Sequence, residues 1–353
     1  MNPSDIKKML RRKPKDKKKN PKIKGVNTGI TTLNMAITGH PRIGILDGHY
    51  YLFVGDSQAG KTWVSHTILA EASINPNYDD YRLIYDDVEG GALMDMERFF
   101  GKRLVERMEV QHSETLEQSY DSIDDALERG EKFILIQDSN DALDVEADIK
   151  KTNTLRKKRK EGTQEKESGT YGTAKAKLNS TRLRSFIPKL KKSGSILIII
   201  SQTRENLGFG FETKTRAGGK ALRFYATIEL WLSIKGKIKK TIKGKQRGIG
   251  ILSEIRIKKN RVQGKDQTCW VPIYYTAGID DVGANVQWLV DENHWKKAKG
   301  GISAPEFDFV GSQDNLIQLI EEDERERELQ KLVRDVWREI ERQSEVKRKN
   351  KYK

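Results

Sequence analysis

The run Gly48-His49-Tyr50-Tyr51-Leu52-Phe53-Val54, followed at once by Gly55-Asp56-Ser57-Gln58-Ala59-Gly60-Lys61-Thr62, constrains this chain more than any other feature. The first seven residues are rich in strand formers, the next eight spell G-x-x-x-x-G-K-T, and Trp63 to Ala72 suits a helix. Glycines there let backbone N–H groups turn inward around phosphate, and the helix N-terminus adds positive potential. Lys61 reaches the outer phosphates, and the Thr62 hydroxyl is placed to ligate Mg²⁺. The nucleotide-binding residues are therefore expected to be Gly55, Asp56, Ser57, Gln58, Ala59, Gly60, Lys61, Thr62 and Trp63.

Four apolar runs, Tyr50 to Val54, Arg82 to Tyr85, Phe133 to Gln137 and Ile196 to Ser201, recur with helical segments between them. That alternation predicts an α/β fold: a mostly parallel twisted sheet with helices on both faces. Ala226 to Lys235 and Gly250 to Lys258 read as further strands joined by the basic hairpin segment Gly236 to Gly248, which predicts antiparallel strands at the sheet edge. Thr28 to Ile37 reads as a capped amphipathic turn opening the domain. Leu329, Leu332, Val333, Val336, Trp337 and Ile340 fall at helical spacing, giving a C-terminal helix one apolar face to pack on its own domain.

The chemistry extends to the ends of the predicted strands. The second ends in Tyr85-Asp86-Asp87-Val88-Glu89, and a carboxylate there can reach a water in line with a γ-phosphate; Glu89 is the preferred general base and Asp87 its competitor. Capping of the following helix is the plainer role for Glu89. Phe133 to Ser139 has the form of an apolar strand whose terminal Asp138 holds Mg²⁺. Ile196 to Ser201 ends in Gln202, an amide placed to sense the γ-phosphate.

With 66 basic and 51 acidic residues, the net charge of +15 favours a polyanionic partner such as nucleic acid. Residues 1 to 24 hold eleven Lys or Arg against two Asp and read as a flexible basic arm, with a short helix over Asp5 to Arg12. Lys150 to Gly172, Gln202 to Gly219 and Lys235 to Arg247 read as mobile insertions, each a candidate DNA contact. In the first, Arg156, Lys157, Lys158 and Arg159 supply cations. In the second, Arg204, Lys214 and Arg216 supply cations for phosphates, while Phe209 and Phe211 supply rings that can stack on bases. A single cysteine, Cys269, excludes an internal disulfide. No apolar run approaches the ~20 residues that span a bilayer, and the lysine-rich start lacks a signal core, so the expected location is cytoplasmic.

At this point the residues resemble the RecA family. Thr28-Gly29 through Leu33-Asn34-Met35-Ala36 is similar to its segment before the P-loop, Ser201-Gln202-Thr203-Arg204 to its switch, and Gly218-Gly219-Lys220-Ala221-Leu222-Arg223-Phe224-Tyr225-Ala226 to its GG-x-AL-x-FYA stretch. Glu117-Gln118 and Glu128-Arg129-Gly130-Glu131-Lys132 are more similar to the phage UvsX branch, which would place the chain in a bacterial host. The resemblance, over about Gly25 to Gly278, implies a RecA-like core over 25–278 and a small C-terminal helical region over 279–353. It implies ATP and Mg²⁺ as cofactors and Glu89, Lys61 and Gln202 as the catalytic set. DNA loops are implied at about 150–172 and 203–217. Lys259-Asn260-Arg261 resembles the family's motif that completes a neighbour's ATP site, with Arg261 in place of a lysine.

The function so implied is ATP-dependent strand exchange in recombination and repair, by a helical filament of this chain on single-stranded DNA that pairs homologous duplex. A single-strand-binding protein and a loader are further partners, and no membrane is. Two departures are the long basic first loop and Met96 at the family's adenine-stacking tyrosine. The competing readings are a helicase-type motor on the same core, and a recombination mediator or annealing protein whose ATP site only switches its assembly.

Overall fold

The computed structural model describes residues 23–91, 93–161, 173–205, 214–216, 219–298, 300–346 and 348. In chain order the elements are β1 (Gly25–Val26), α1 (Thr31–Thr38), β2 (Ile45–Leu46), β3 (Tyr50–Gly55), α2 (Lys61–Ser73), β4 (Arg82–Asp87), α3 (Met96–Phe100), α4 (Lys102–Arg107), β5 (Met108–Gln111), α5 (Leu116–Glu128) and β6 (Phe133–Asp138). There follow α6 (Glu146–Lys160), α7 (Thr173–Ser193), β7 (Ile196–Glu205), β8 (Lys214–Arg216), α8 (Lys220–Tyr225), β9 (Ile228–Ile242), β10 (Lys245–Asn260), β11 (Thr268–Tyr274) and β12 (Gly278–Ile279). The chain ends with α9 (Asp281–Asp291), β13 (Lys296–Ala298), β14 (Gly301–Ala304), β15 (Phe309–Gly311), α10 (Gln313–Glu322) and α11 (Glu326–Gln343).

The main sheet runs β12-β11-β10-β9-β3-β7-β6-β4-β5. Its strands from β9 to β5 are parallel, while β10, β11 and β12 are antiparallel. The expected mixed α/β sheet is therefore present. The central strands read as near-continuous apolar runs because helices cover both faces. Tyr51, Phe53, Ile134, Ile136, Ile196, Ile198 and Ile200 join the core under α1 and α2, and Leu52, Val54, Leu135, Leu197 and Ile199 join the one under α5 and α7.

Four expectations change. Every residue of α1 is buried, so it is not amphipathic; Thr28 instead fixes its entry by bonding Asn34 Oδ1. Lys235 to Arg247 is the expected basic hairpin and not a mobile insertion: β9 and β10 pair up to Ile242 and Lys245, around a turn at Lys243 and Gly244, both at positive φ. Such a two-residue turn matches the twist of the strands it joins. Residues 150–160 are helical in α6, so Arg156, Lys157, Lys158 and Arg159 sit on a helix that buries no side chain. Arg204, Lys214 and Arg216 lie on paired strands β7 and β8. Phe209 and Phe211, residues 162–172 and the short helix expected over residues 5–12 lie outside the described residues.

The expected C-terminal helix is α11. Leu329 and Val333 pack with α9, α10 and the β13–β15 sheet, while Trp337 reaches the main core and stacks on Trp288 at 5.4 Å.

Candidate functional site

The phosphate loop bridges the C-terminal end of β3 and the start of α2, where ligands bind in open parallel sheets. Its shape needs small residues. A Cβ at Gly55 would lie 2.4 Å from the Leu232 carbonyl oxygen, and Gly60 sits at φ +99°. Ser253 on β10 braces the loop by donating to the Ala59 carbonyl at 2.7 Å, both groups being buried. Ser253→Ala would leave that carbonyl unpaired, and we expect it to lower stability by about 1–3 kcal/mol in denaturant unfolding while weakening nucleotide affinity.

Lys61 Nζ donates to the carbonyls of Gly55 and Asp56 at 2.9 and 2.7 Å. Burial holds its ammonium below the usual lysine value, against the pull of Asp138, Glu89 and Asp56. Thr62 Oγ1 donates to Asp138 Oδ2 at 2.9 Å, and Tyr85 OH donates to the same oxygen at 2.9 Å. Burial raises the Asp138 carboxyl above its ordinary value, these two donors working the other way. A hydroxyl and one carboxylate at the strand end match the few protein ligands Mg²⁺ takes beside phosphate oxygens and waters. The charge of a dication would offset the burial penalty on Asp138. Among the described residues no cluster of three His, Cys, Asp or Glu could hold a metal alone.

Glu89 lies in the turn between Val88 and Gly91, outside any helix. The next helix, α3, is capped by Asp95, whose side chain accepts from the Arg98 N–H at 3.1 Å; Glu89 is therefore not a helix cap. Its Oε1 accepts from Ser139 Oγ at 2.5 Å and from Gln202 Nε2 at 2.8 Å. Asp87 faces the turn, accepting from the Gly91 N–H at 3.1 Å, and Asp86 is tied to Ser113 and Ser119. The Gln202 backbone N–H donates to Asp141 Oδ2 at 2.5 Å. The fold thus brings Lys61, Thr62, Glu89, Asp138 and Gln202 to one end of the sheet. The roles of Tyr85, Ser139, Asp141 and Ser253 leave no trace in the sequence, because hydroxyls and a loop carboxylate carry no motif of their own.

The ring of Trp63 packs on Phe99 and Phe100 at 5.0 and 5.4 Å. Met96 packs on the same core. Lys259 donates to the carbonyls of Arg223 and Phe224, and Arg261 to that of Phe224 at 2.9 Å. By strand register Lys259 lies opposite Glu229, which lies opposite Leu52, three residues before Gly55. These two cations thus sit toward the opposite end of the sheet from their own chain's phosphate loop. On β7 and β8 the register pairs Thr203 with Arg216 and Glu205 with Lys214.

Beyond Gly236 and Gly250, β9 and β10 pair only with each other. Because β9 is parallel to β3 and already level with Gly55 at Leu232, this ribbon projects from the end of the sheet that carries the phosphate loop and the β7–β8 hairpin. Lys237, Lys239, Lys240, Lys243, Lys245 and Arg247 are exposed on it, and among the described residues none has an acidic partner.

No helix among the described residues is long and apolar enough to cross a membrane. Comparison with known proteins bears on the whole core. The chain is 26% identical over 322 residues to Protein RecA of Prochlorococcus marinus, covering 89% of this chain and 77% of that one. It is 26% identical over 333 residues to Protein RecA of Enterococcus faecalis, covering 90% and 84%. For Protein RecA of Clostridium perfringens it is 27% over 312 residues, covering 86% and 79%. Residues 9–280 match the RecA N-terminal domain, well over half of the sequence, so the chain belongs to the RecA family.

Proposed function

We propose that this protein is a DNA-dependent ATPase that forms a helical filament on single-stranded DNA and exchanges strands with homologous duplex. The observation that carries this reading is the hydrogen bond from Gln202 to Glu89, since it joins the base that would act on ATP to the root of a basic hairpin. In this reading the backbone of Gly55 to Thr62 cradles the phosphates and Lys61 leaves its carbonyl partners for the outer ones. Glu89 orients and deprotonates the attacking water. Thr62 and Asp138 would hold Mg²⁺, which when bound neutralises phosphate charge. Tyr85, whose hydroxyl burial keeps protonated, holds the Asp138 carboxylate in place.

The DNA surface comprises Arg204, Phe209, Phe211, Lys214 and Arg216 around the hairpin, Arg156 to Arg159 on α6, and the cations of the β9–β10 ribbon. Along one face of a strand successive side chains stand ~7 Å apart, a spacing that suits a row of phosphates. The UvsX-like character and a phage origin rest on Glu117-Gln118 and Glu128 to Lys132. Core and C-terminal region divide near residue 278, and loader or single-strand-binding partners remain part of the family expectation. The place of action in this reading is the cytoplasm.

Single-stranded DNA affinity should rise at least tenfold with a non-hydrolysable ATP analogue, and the wild type should exchange strands without helper proteins. Replacing Lys239, Lys240, Lys243 and Lys245 with Ala should reduce the slope of log affinity against log salt by about three, at ~0.7 per lost phosphate contact. An unchanged slope removes the ribbon from the surface. Equal DNA affinity in both nucleotide states together with no strand exchange would instead favour the mediator.

A further inference from the structure

Asp56 occupies the second position of the phosphate loop, and its carboxylate lies close enough to Lys61 to act on the charge of that ammonium, the partner a triphosphate would take. Like charges at that distance oppose each other, so the side chain is a poor phosphate ligand. A hydrogen bond of that side chain points elsewhere. Asp56 Oδ1 accepts from the hydroxyl of Thr203, the residue directly after Gln202. Both side chains are half-buried. Thr203 is also the first paired residue of the β7–β8 hairpin, opposite Arg216. Three contacts therefore fasten two consecutive residues at the hairpin root: Gln202 to Glu89, the Gln202 backbone to Asp141, and Thr203 to Asp56. Of these three only the last reaches the phosphate loop by a side chain, beside the main-chain pairing of Gln202 with Gly55 in the sheet.

The backbone of Asp56 is tied to the same event from the other side. Its carbonyl accepts from Lys61 Nζ at 2.7 Å, and that ammonium must leave to reach phosphate. Nucleotide entry would thus do two things to one residue: free its main chain and repel its side chain.

We propose that Asp56 and Thr203 are positioning residues of the nucleotide switch, a latch that holds the hairpin root to the phosphate loop until a triphosphate releases it. This rests on the reading that the hairpin binds DNA under ATP control. A ligand shifts an equilibrium only through unequal interaction with its two states, and the carboxylate supplies that inequality. By reciprocity, DNA on the released hairpin would favour nucleotide by the same factor.

The test is single-stranded DNA affinity of the full chain with and without a non-hydrolysable ATP analogue, for wild type, Thr203→Val, Thr203→Ser, Asp56→Ala and the Asp56→Ala/Thr203→Val pair. Thr203→Val keeps the shape and removes the donor. It should raise DNA affinity without nucleotide about fivefold to tenfold and leave affinity with the analogue near wild type, so the enhancement falls by that factor. Thr203→Ser keeps the donor and should behave as wild type, which a loss of packing would not permit. Adding Thr203→Val to Asp56→Ala should change the enhancement no further than Asp56→Ala alone, because the bond that Thr203 donates is already gone. If wild type shows the enhancement and Thr203→Val retains it in full, or if the two substitutions add, the latch is wrong and the ATP-controlled DNA site stands. If wild type shows no enhancement at all, the proposed function is overturned and the latch with it.

Discussion

Glu89→Gln should bind ATP as tightly as wild type and lose about two to four orders of magnitude of hydrolysis, the usual weight of a general base. The amide keeps the size of the side chain and can still meet Ser139 and Gln202, so the phosphate loop is undisturbed. Lys61→Ala should fail earlier, at nucleotide binding, because it removes the cation of the loop. Binding of a fluorescent ATP analogue and steady-state hydrolysis with single-stranded DNA separate the two variants. The neighbouring carboxylates are occupied: Asp86 is buried on Ser113 and Ser119, and Asp87 closes the turn at Gly91. Turnover of Glu89→Gln within tenfold of wild type would move the base elsewhere, with Asp87 the nearest choice.

What could be read in the sequence follows from which interactions leave a local trace. Strands β3, β4, β6 and β7 were visible because burial on both faces demands consecutive apolar residues, and Gly55 to Thr62 was visible because the backbone geometry itself demands glycines. Asp138 and Glu89 were placed by their positions at strand ends.

The rest depended on pairing at a distance. The sequence marks a basic hairpin between two strands but not how far its pairing runs, since alternation of Lys with Ile, Gly and Thr carries little apolar signal where neither face is buried. Only the partner strand shows that Lys237 and Ile251 are opposite each other. α6 was missed for the same reason, being a helix without a buried side chain. The Asp56 to Thr203 bond joins residues 147 apart in sequence, and neither side chain belongs to a motif that names the other.

The Lys259→Ala/Arg261→Ala variant should bind nucleotide normally yet lose about three orders of magnitude of DNA-dependent turnover, the low end for a phosphate-directed cation supplied in trans. Register puts Lys259 level with Leu52, about 10 Å along the strand direction before Gly55 and two strands to the side. Its own phosphate loop is out of reach, while its head group rests on carbonyls at the C-terminal end of α8, next to the exposed ring of Phe224. In the proposed filament, a head-to-tail repeat would present this surface to the next copy's nucleotide site. The sharpest check is a mixture. In a filament built from equal parts of this variant and Glu89→Gln, about one site in four would pair an intact Glu89 with a neighbour's intact Lys259 and Arg261. Two nearly inactive proteins should then recover up to about a quarter of wild-type hydrolysis when mixed on single-stranded DNA. A mixture no more active than its two components would mean that each ATP site is complete within one chain, and the filament would lose its role in catalysis.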